Sequence, residues 1–108
     1  TAHVHNHGIY VEDVVDFPVP IISYEDRHPS NPCIAEFRKH YSGTVMGGLD
    51  KDRFTRVTPA EARRNARVGM EEGGSTRLLL APGCSVPAEL YPGTARALVE
   101  AVHAAASA

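Results

Sequence analysis

The sequence lacks the features that mark several large classes of protein. Its 108 residues include 11 basic and 13 acidic side chains, a net charge of −2, so no basic excess points to nucleic acid or an anionic membrane surface. The longest apolar stretch lies around Leu78–Ala81, far short of the ~20 residues that a membrane span needs. Residues 1–10 contain no basic segment followed by an apolar run, so we expect no signal peptide there.

Cysteine is scarce, and the glycine patterns of nucleotide-binding loops are missing. The two cysteines, Cys33 and Cys84, are too few for a disulfide scaffold, and we expect a reducing compartment, the cytoplasm. Gly47-Gly48 belongs to neither of the common phosphate-binding patterns. Hydrophobic residues make up 43% and charged residues 22%, which is ordinary for a soluble globular protein.

Short apolar runs alternate with segments of helical spacing along the whole chain. The runs are rich in Val, Ile or Leu, end in turn residues, and are predicted to be strands: Ala2–Asn6, Pro20–Tyr24, Thr44–Leu49 and Arg77–Ala81. The segments that follow them are predicted to be helices: Ile9–Asp16, Pro29–Tyr41, Thr58–Gly73 and Thr94–Ala106. In the third helix, Thr58, Pro59 and Glu61 form a capping-box start, and Gly73 is expected to end it.

This order predicts an α/β fold with parallel strands. The 108 residues divided among four βα units give 27 residues per unit, near the size expected in a TIM barrel, where ~250 residues hold eight units. Half of a TIM (β/α)8 barrel is favoured over a four-stranded doubly wound sheet, because four strands are few for helices on both faces. We therefore expect residues 1–108 to be one partial domain, a fragment of a longer chain, with two open sheet edges.

Polar side chains are expected to gather where the strands end. In parallel α/β folds ligands bind at the carboxyl ends of strands. His3, His5 and His7 are two residues apart, so in a strand they would share one side. His5, His7 and Cys84 would then form a set of two nitrogen ligands and one sulfur ligand with one open position, as in catalytic zinc sites.

Plainer interpretations exist for the same residues. Isolated histidines are usually surface or hydrogen-bonded groups, an H-x-H pair can be a tag remnant, and a free cysteine is usually a small apolar group. Glu25 and Asp50 are candidate catalytic residues that would orient the substrate or bind a cation. The competing expectation is that Asp26–Arg27 is a solvated loop pair and that Asp50 begins a turn with Lys51 and Asp52.

Several segments together resemble a known family. The stretch Leu78–Pro87, followed by Thr94–Val102, resembles the C-terminal end of the uroporphyrinogen decarboxylase superfamily. Thr44–Asp50 is similar to that family's strand with a glycine-rich end, and Val57–Ala62 to its T-P-E-E helix start. His5–Gly8 lies where many members have H-x-C-G. The resemblance covers nearly the whole chain, in the same order, and implies the second half of a TIM barrel.

The resemblance also implies an activity. The superfamily includes cofactor-free porphyrinogen decarboxylases and corrinoid-linked methyltransferases, which activate a thiol on zinc held by H-x-C and a distant cysteine. By motif match, His5, His7 and Cys84 fall on the zinc ligands, although His7 stands where the zinc enzymes usually have cysteine. Cys84 favours the methyltransferase-like branch, because the decarboxylase branch would have a histidine-containing motif there.

We therefore expect an enzyme fragment for zinc-assisted methyl transfer to or from a small-molecule substrate, with a corrinoid carried by a partner protein. One alternative is decarboxylation of tetrapyrrole carboxylates, for which Arg27, Arg53 and Arg56 are the nearby basic candidates. The aspartate that is catalytic in those decarboxylases would lie in the first half of the barrel. Another alternative is a non-catalytic half-barrel that pairs with the N-terminal half, another chain or a second copy. Neither nucleic acid nor a membrane is an expected partner.

Overall fold

The computed structural model describes residues 1–5, 7–51, 58–86 and 93–106. Across these ranges strands and helices alternate as the sequence predicts, in the order β1 (Ala2–Val4), α1 (Val11–Val14), β2 (Ile21–Tyr24), α2 (Ile34–Phe37), β3 (Thr44–Leu49), α3 (Pro59–Gly73), β4 (Leu78–Pro82) and α4 (Thr94–Ala106). The first two helices are shorter than predicted, with four residues each. The predicted end of β1 at Asn6 lies outside the described residues.

The strands form one parallel sheet whose spatial order is the order of the sequence, β1-β2-β3-β4. Doubly wound sheets reverse their strand order at a switch point, whereas a TIM barrel adds each strand beside the previous one. The order therefore confirms an α/β fold that is consistent with half of a TIM barrel. None of the described helices is long and apolar enough to cross a membrane.

Both hydrophobic clusters lie on the same face of the sheet. Ile22, Tyr24 and Val45 point to α1 and α2, and the rings of Tyr24 and Phe37 lie 4.7 Å apart. Further along, β3 and β4 contribute Leu49 and Leu80 to a second cluster that packs small alanines of α3 and α4 close to the sheet. One helix-covered face is what the wall of a barrel presents to its outside.

Within the part of the chain that the structure describes, no helix covers the opposite face, which we call the open face. His3, Ser23, Met46 and Leu79 lie in one register row across the four strands, on the side away from the helices. The Leu79 side chain is 45% exposed, although leucine is normally buried at the centre of a sheet. In a closed barrel, side chains on this face would point into the interior, which is filled by layers of packed side chains.

The third helix shows how local sequence sets an element. Thr58 Oγ1 accepts from the Glu61 backbone N–H at 3.2 Å, and Glu61 Oε2 accepts from the Thr58 N–H at 3.0 Å, which confirms the capping box. The helix ends at Gly73, as the predicted range Thr58–Gly73 has it, but the prediction that Gly73 is the glycine beyond its last turn is wrong. Gly73 remains helical and packs against Leu78, and Gly74, with a φ of 81°, is the residue that turns the chain away.

Candidate metal and carboxylate site

The loop after β4 folds inward across the carboxyl end of the sheet. A Cβ atom added to Gly83 would lie only 2.7 Å from Glu25 Cα, so the backbone of this loop rests directly on the residue that follows β2. Only glycine permits an approach this close. As a consequence Cys84, which follows the edge strand β4, reaches side chains that follow the opposite edge strand β1.

Three side chains of the kind that can ligate a metal meet there. Cys84 Sγ lies 3.4 Å from His5 Nδ1, and the ligand atoms of His3, His5 and Cys84 all lie within 4.8 Å of one another. We call these residues the thiol–imidazole cluster. Zinc–sulfur and zinc–nitrogen bonds of about 2.3 and 2.1 Å at a tetrahedral angle place the two donor atoms about 3.6 Å apart. The spacing of Cys84 and His5 is close to that value, so these residues fit a zinc ion.

His3 is oriented by a partner behind it. Its Nδ1 lies 3.1 Å from the hydroxyl of Ser23, a buried residue of β2 directly opposite it in the register. With Nδ1–H donating to that hydroxyl, Nε2 carries the lone pair that a metal requires. Histidine ligands of metals almost always have such a second partner, which fixes the tautomer and the ring orientation.

His7 lies apart from this cluster. The strand ends at Val4 and the chain turns at Gly8, whose φ is 63°, so the same-side relationship of the three histidines does not extend to His7. Its Nε2 contacts Glu25 Oε2 at 2.9 Å, and its ring stacks on His28 with centroids 3.4 Å apart. Of the predicted ligands His5, His7 and Cys84, the structure brings together the first and the last, and the full set stays a prediction.

The turn that carries His7 is fastened to the loop after β2. The Gly8 N–H donates to Ser30 Oγ at 2.9 Å, and the Ile9 N–H donates to Asn31 Oδ1 at 3.1 Å. The same asparagine donates from Nδ2 to the backbone carbonyl of Glu25 at 3.0 Å. The position of His7 beside Glu25 is therefore set by backbone anchors on both sides of the contact.

Glu25, a predicted catalytic residue, lies at the centre of a second group. Its side chain is 5% exposed, and its two oxygens contact His7 Nε2 and, at 3.1 Å, Lys51 Nζ. We call Glu25, His7 and Lys51 the Glu25 cluster. Removal from water opposes ionisation, but the hydrogen bond and positive charge of Lys51, together with His7, hold the pKa of Glu25 below its ordinary value. Glu25 is thus a carboxylate at neutral pH.

Asp50, the other predicted catalytic residue, lines a cavity next to this cluster. The cavity has a volume of about 110 Å³, and its walls include Glu25, Arg27, Lys51 and Gly83. The Asp50 backbone N–H donates to Asn65 Oδ1 on α3 at 3.2 Å, which fixes the end of β3. Both predicted carboxylates therefore reach one small polar cavity at the mouth of the half-barrel.

The expectation that Asp26–Arg27 is a solvated loop pair is wrong. Asp26 is 4% exposed, and its Oδ1 accepts from the Gly48 N–H at 2.8 Å. Arg27 Nη1 donates to the Gly48 carbonyl and to Asn65 Oδ1, both at 3.0 Å. The backbone ladder between β2 and β3 ends at the pair Ser23 and Met46. Beyond it, the side chains of Asp26 and Arg27 connect the two segments by binding the N–H and the carbonyl of Gly48. Burial raises the pKa of Asp26, although the bond from Gly48 opposes the shift.

Sequence reasoning also missed Asn65 and Ser23. Asn65 is one polar residue on a helix with many, and its double role as acceptor for Arg27 and Asp50 depends on how α3 packs on the sheet. Ser23 has a detectable signal, because it alternates with the buried residues Ile22 and Tyr24 and therefore faces the barrel interior with His3.

Comparison with known families places this geometry in context. A family model described as uroporphyrinogen decarboxylase (URO-D) matches residues 1–105, nearly the whole chain. A comparison with curated proteins finds no match.

Proposed function

Because the chain belongs to the uroporphyrinogen decarboxylase family, whose members are generally enzymes, we propose that it forms part of an enzyme for zinc-assisted methyl transfer. The observation that carries this proposal is the meeting of His5 and Cys84, 3.4 Å apart, with a second imidazole within reach. A set of nitrogen and sulfur donors with an open position is typical of catalytic zinc. A decarboxylase that needs no cofactor has no use for such a set.

The ion would be held by Cys84 and His5, and the third protein ligand is argued below. Zinc at this position would keep a substrate thiol in its thiolate form at neutral pH. In the proposed transfer a carbon–sulfur bond would form to the sulfur of the substrate thiol, and the bond between the methyl group and its donor would break. The electron pair of the broken bond would stay on the donor, a corrinoid or another methylated compound, and the thiol proton would pass to solvent.

The two carboxylates have roles that follow from their surroundings. Glu25 is held as an anion by Lys51 and His7, so it is poorly suited to take up a proton and well suited to orient a polar or cationic group of the substrate. Asp50 lines the same cavity, one residue before Lys51. Because Gly83 also lines the cavity, a small substrate bound there lies one residue from Cys84.

Partners of two kinds are part of this proposal. The open sheet face with its exposed Leu79 requires a second half of the barrel, supplied by an N-terminal segment, another chain or a second copy. The corrinoid would be bound by a separate protein that docks at the mouth. A thiol ligand such as Cys84 must remain reduced, which agrees with a cytoplasmic location.

The test uses the protein as its gene encodes it. Zinc is measured by elemental analysis, and methylcobalamin with a simple alkyl thiol is the probe reaction, followed by the absorbance change as the methyl–cobalt bond is lost. We expect about one zinc per chain and thiol-dependent loss of the methyl group, both abolished in Cys84→Ala. The matched variant Cys33→Ala should retain both. A protein without zinc, or a Cys84→Ala variant with full zinc and activity, contradicts the proposal.

A second candidate function, tetrapyrrole decarboxylation, is favoured by Arg27. Its Nη1 donates to two neutral oxygens at the wall of the cavity, and although its charge also acts on the neighbouring Asp26, it offers positive charge to a substrate carboxylate. The other basic candidates, Arg53 and Arg56, lie outside the described residues. Release of carbon dioxide from uroporphyrinogen by the metal-stripped protein would support this function and contradict methyl transfer.

A further inference from the structure

We infer that the third zinc ligand of this chain is His3, and that His7 instead serves as the positioning residue of Glu25. The inference rests on the proposed zinc site and concerns its ligands. The sequence motif suggests the pair His5 and His7, with their spacing of two residues. The structure instead groups His3 and His5, which have the same spacing and straddle the end of β1.

His3 has the geometry of a ligand. It belongs to β1 and points to the open face, away from the helices, as does the buried Ser23 that holds its Nδ1 at 3.1 Å. With Nδ1 engaged by Ser23, the ring is oriented and Nε2 is the nitrogen that would serve an ion. The imidazoles of His3 and His5 are exposed, so they can close on an ion by side-chain rotation while the backbone of the strand stays in place.

His7 would have to give up several contacts to join the ion. Its Nε2 is within 2.9 Å of the buried Glu25 carboxylate, and its ring lies nearly parallel to that of His28, with planes 10° apart. The backbone on its C-terminal side is held by Ser30 and Asn31. Moving His7 would leave a carboxylate that is 5% exposed with one hydrogen-bond partner fewer, and a buried carboxylate that loses a partner is destabilised.

The different roles of the three histidines leave one coordination position of the ion for substrate. The H-x-H-x-H segment supplies the first two imidazoles to the metal and the third to the carboxylate that faces the cavity. With His3, His5 and Cys84 as protein ligands, a tetrahedral ion keeps one position for substrate. The departure from cysteine at position 7 is then explained, since thiol and imidazole are not equivalent partners for Glu25.

The experiment measures metal binding by matched variants of the full protein. Metal is stripped, and Zn²⁺ affinity is determined by competition with a chromogenic chelator for His3→Asn, His7→Asn and the exposed control His40→Asn. We expect His3→Asn to lose about 100-fold or more in affinity, since even outer partners of metal ligands contribute about 10–100-fold. His7→Asn and His40→Asn should stay within threefold of the wild type, because neither residue touches the ion.

A second pair of variants gives a gain of signal that does not depend on losing a ligand. Co²⁺ replaces zinc, and the intensity of its thiolate charge-transfer band reports the number of sulfur ligands. His3→Cys should raise the intensity per cobalt from that of one thiolate to that of two, and His7→Cys should leave it unchanged. The reverse result, or a loss of affinity in His7→Asn equal to that in His3→Asn, overturns the inference but keeps the zinc site. A wild-type protein that binds no Zn²⁺ overturns the proposed function as well.

Discussion

The thiol–imidazole cluster and the Glu25 cluster lie at the same end of the sheet but are built differently. His3, His5 and Cys84 are exposed or half-buried, and their contacts with one another are as long as 4.8 Å. Glu25 is buried, and both of its oxygens have cationic or imidazole partners at 2.9 and 3.1 Å. The first group is open, and an ion would bring it together, whereas the second is already closed.

Because of this difference, we expect the Glu25 cluster to contribute to folding stability and the thiol–imidazole cluster to contribute to metal affinity. Burying a carboxylate costs free energy unless it is paired and hydrogen-bonded, so the Glu25 cluster must form when the chain folds. Exposed imidazoles and a half-buried thiol carry no such burial cost. They would stabilise the fold only through the free energy of binding a metal. Substitutions in the Glu25 cluster should therefore change stability, and those in the thiol–imidazole cluster should change metal affinity.

The largest effect is expected for Gly83→Ala, because Gly83 connects the two groups. A methyl group there would meet Glu25 Cα at 2.7 Å, which is backbone and cannot rotate away. Overpacking of this kind costs about 1–3 kcal/mol, and we expect the upper end of that range. The displaced loop would also withdraw Cys84 from His5, so Zn²⁺ affinity should fall with stability, as measured by urea unfolding and chelator competition. Ser85→Ala, at the exposed neighbouring residue, is the control; equal effects of the two changes would contradict the role of Gly83.

Glu25→Gln should affect the second group alone. The amide keeps the shape but loses the charge that Lys51 and His7 share, and hydrogen bonds to charged groups contribute about 1.5–3 kcal/mol. Lys51 and His7 are 28% and 46% exposed, so water replaces part of the lost interaction, and we expect a loss of about 2 kcal/mol in the free energy of unfolding. Urea unfolding at pH 7 measures it.

The matched control for that variant is Glu36→Gln, at an exposed glutamate of α2 that contacts Lys39. Its stability should stay close to that of the wild type, since exposed ion pairs contribute little. Zn²⁺ affinity should be unchanged in both variants. A Glu25→Gln protein that keeps its stability and loses its metal would show that Glu25 belongs to the metal centre, and the separation of the two groups would be wrong.

The fold and part of the site could be predicted from the sequence because they depend on local rules. Periodicity and turn residues give the alternation of strands and helices, and Thr58 and Glu61 give the start of α3 through a capping box that needs no distant contact. The convergence of His5 and Cys84 also follows, since parallel strands bring their carboxyl ends to one side. Family resemblance points to the same two residues.

The remainder of the site depends on side-chain contacts between distant segments. Asp26 is buried because β2 and β3 diverge beyond their ladder and leave the Gly48 N–H to be satisfied by a side chain. His7 pairs with Glu25 because β1 ends after Val4, and no sequence periodicity marks that end. Asn65 acts through the packing of α3. Residue spacing predicts which residues share an end of the sheet, but it does not predict which of them are partners.

Ser23→Ala should weaken the thiol–imidazole cluster by a smaller amount than loss of a ligand. The hydroxyl holds His3 Nδ1 at 3.1 Å, and its removal leaves the ring free to rotate. Loss of such a partner typically costs about 10–100-fold in metal affinity, and we expect about tenfold for this exposed histidine. Stability should change by about 1 kcal/mol or less. Chelator competition with Ser75→Ala as the exposed control measures the difference, and an unchanged Zn²⁺ affinity would argue against His3 as a ligand.

The smallest change in stability is expected from substitution of a second buried carboxylate, Asp26. Its pH dependence should have the opposite sign to that of Glu25. Burial raises the pKa of Asp26, whereas Lys51 and His7 lower that of Glu25 against its own burial. A group with a raised pKa contributes stability that is fully present below the unfolded value of about 3.9 and is lost as pH rises through the folded pKa. Glu25 behaves oppositely, since its contribution is present above the unfolded value of about 4.3 and is lost as pH falls through the folded pKa.

We therefore expect Asp26→Asn to change how the free energy of unfolding varies with pH more than it changes its value at any one pH. The amide oxygen of the asparagine still accepts from the Gly48 N–H, so the hydrogen bond between the two segments is kept. The charge of the carboxylate, which burial disfavours, is removed. Relative to the wild type, the variant should become more stable as pH rises from the unfolded pKa of aspartate through the raised folded pKa of Asp26, and the difference should then level off. Glu25→Gln should lose stability relative to the wild type as pH rises from the lowered folded pKa of Glu25 to the unfolded pKa of glutamate. Urea unfolding at a series of pH values measures both, with the exposed Asp16→Asn as the control. A carboxylate whose pKa is raised by burial and one whose pKa is lowered by cationic or hydrogen-bonding partners must give pH dependences of opposite sign. If stability changed with pH in the same direction in the two variants, the environments of Asp26 and Glu25 would not differ in this way.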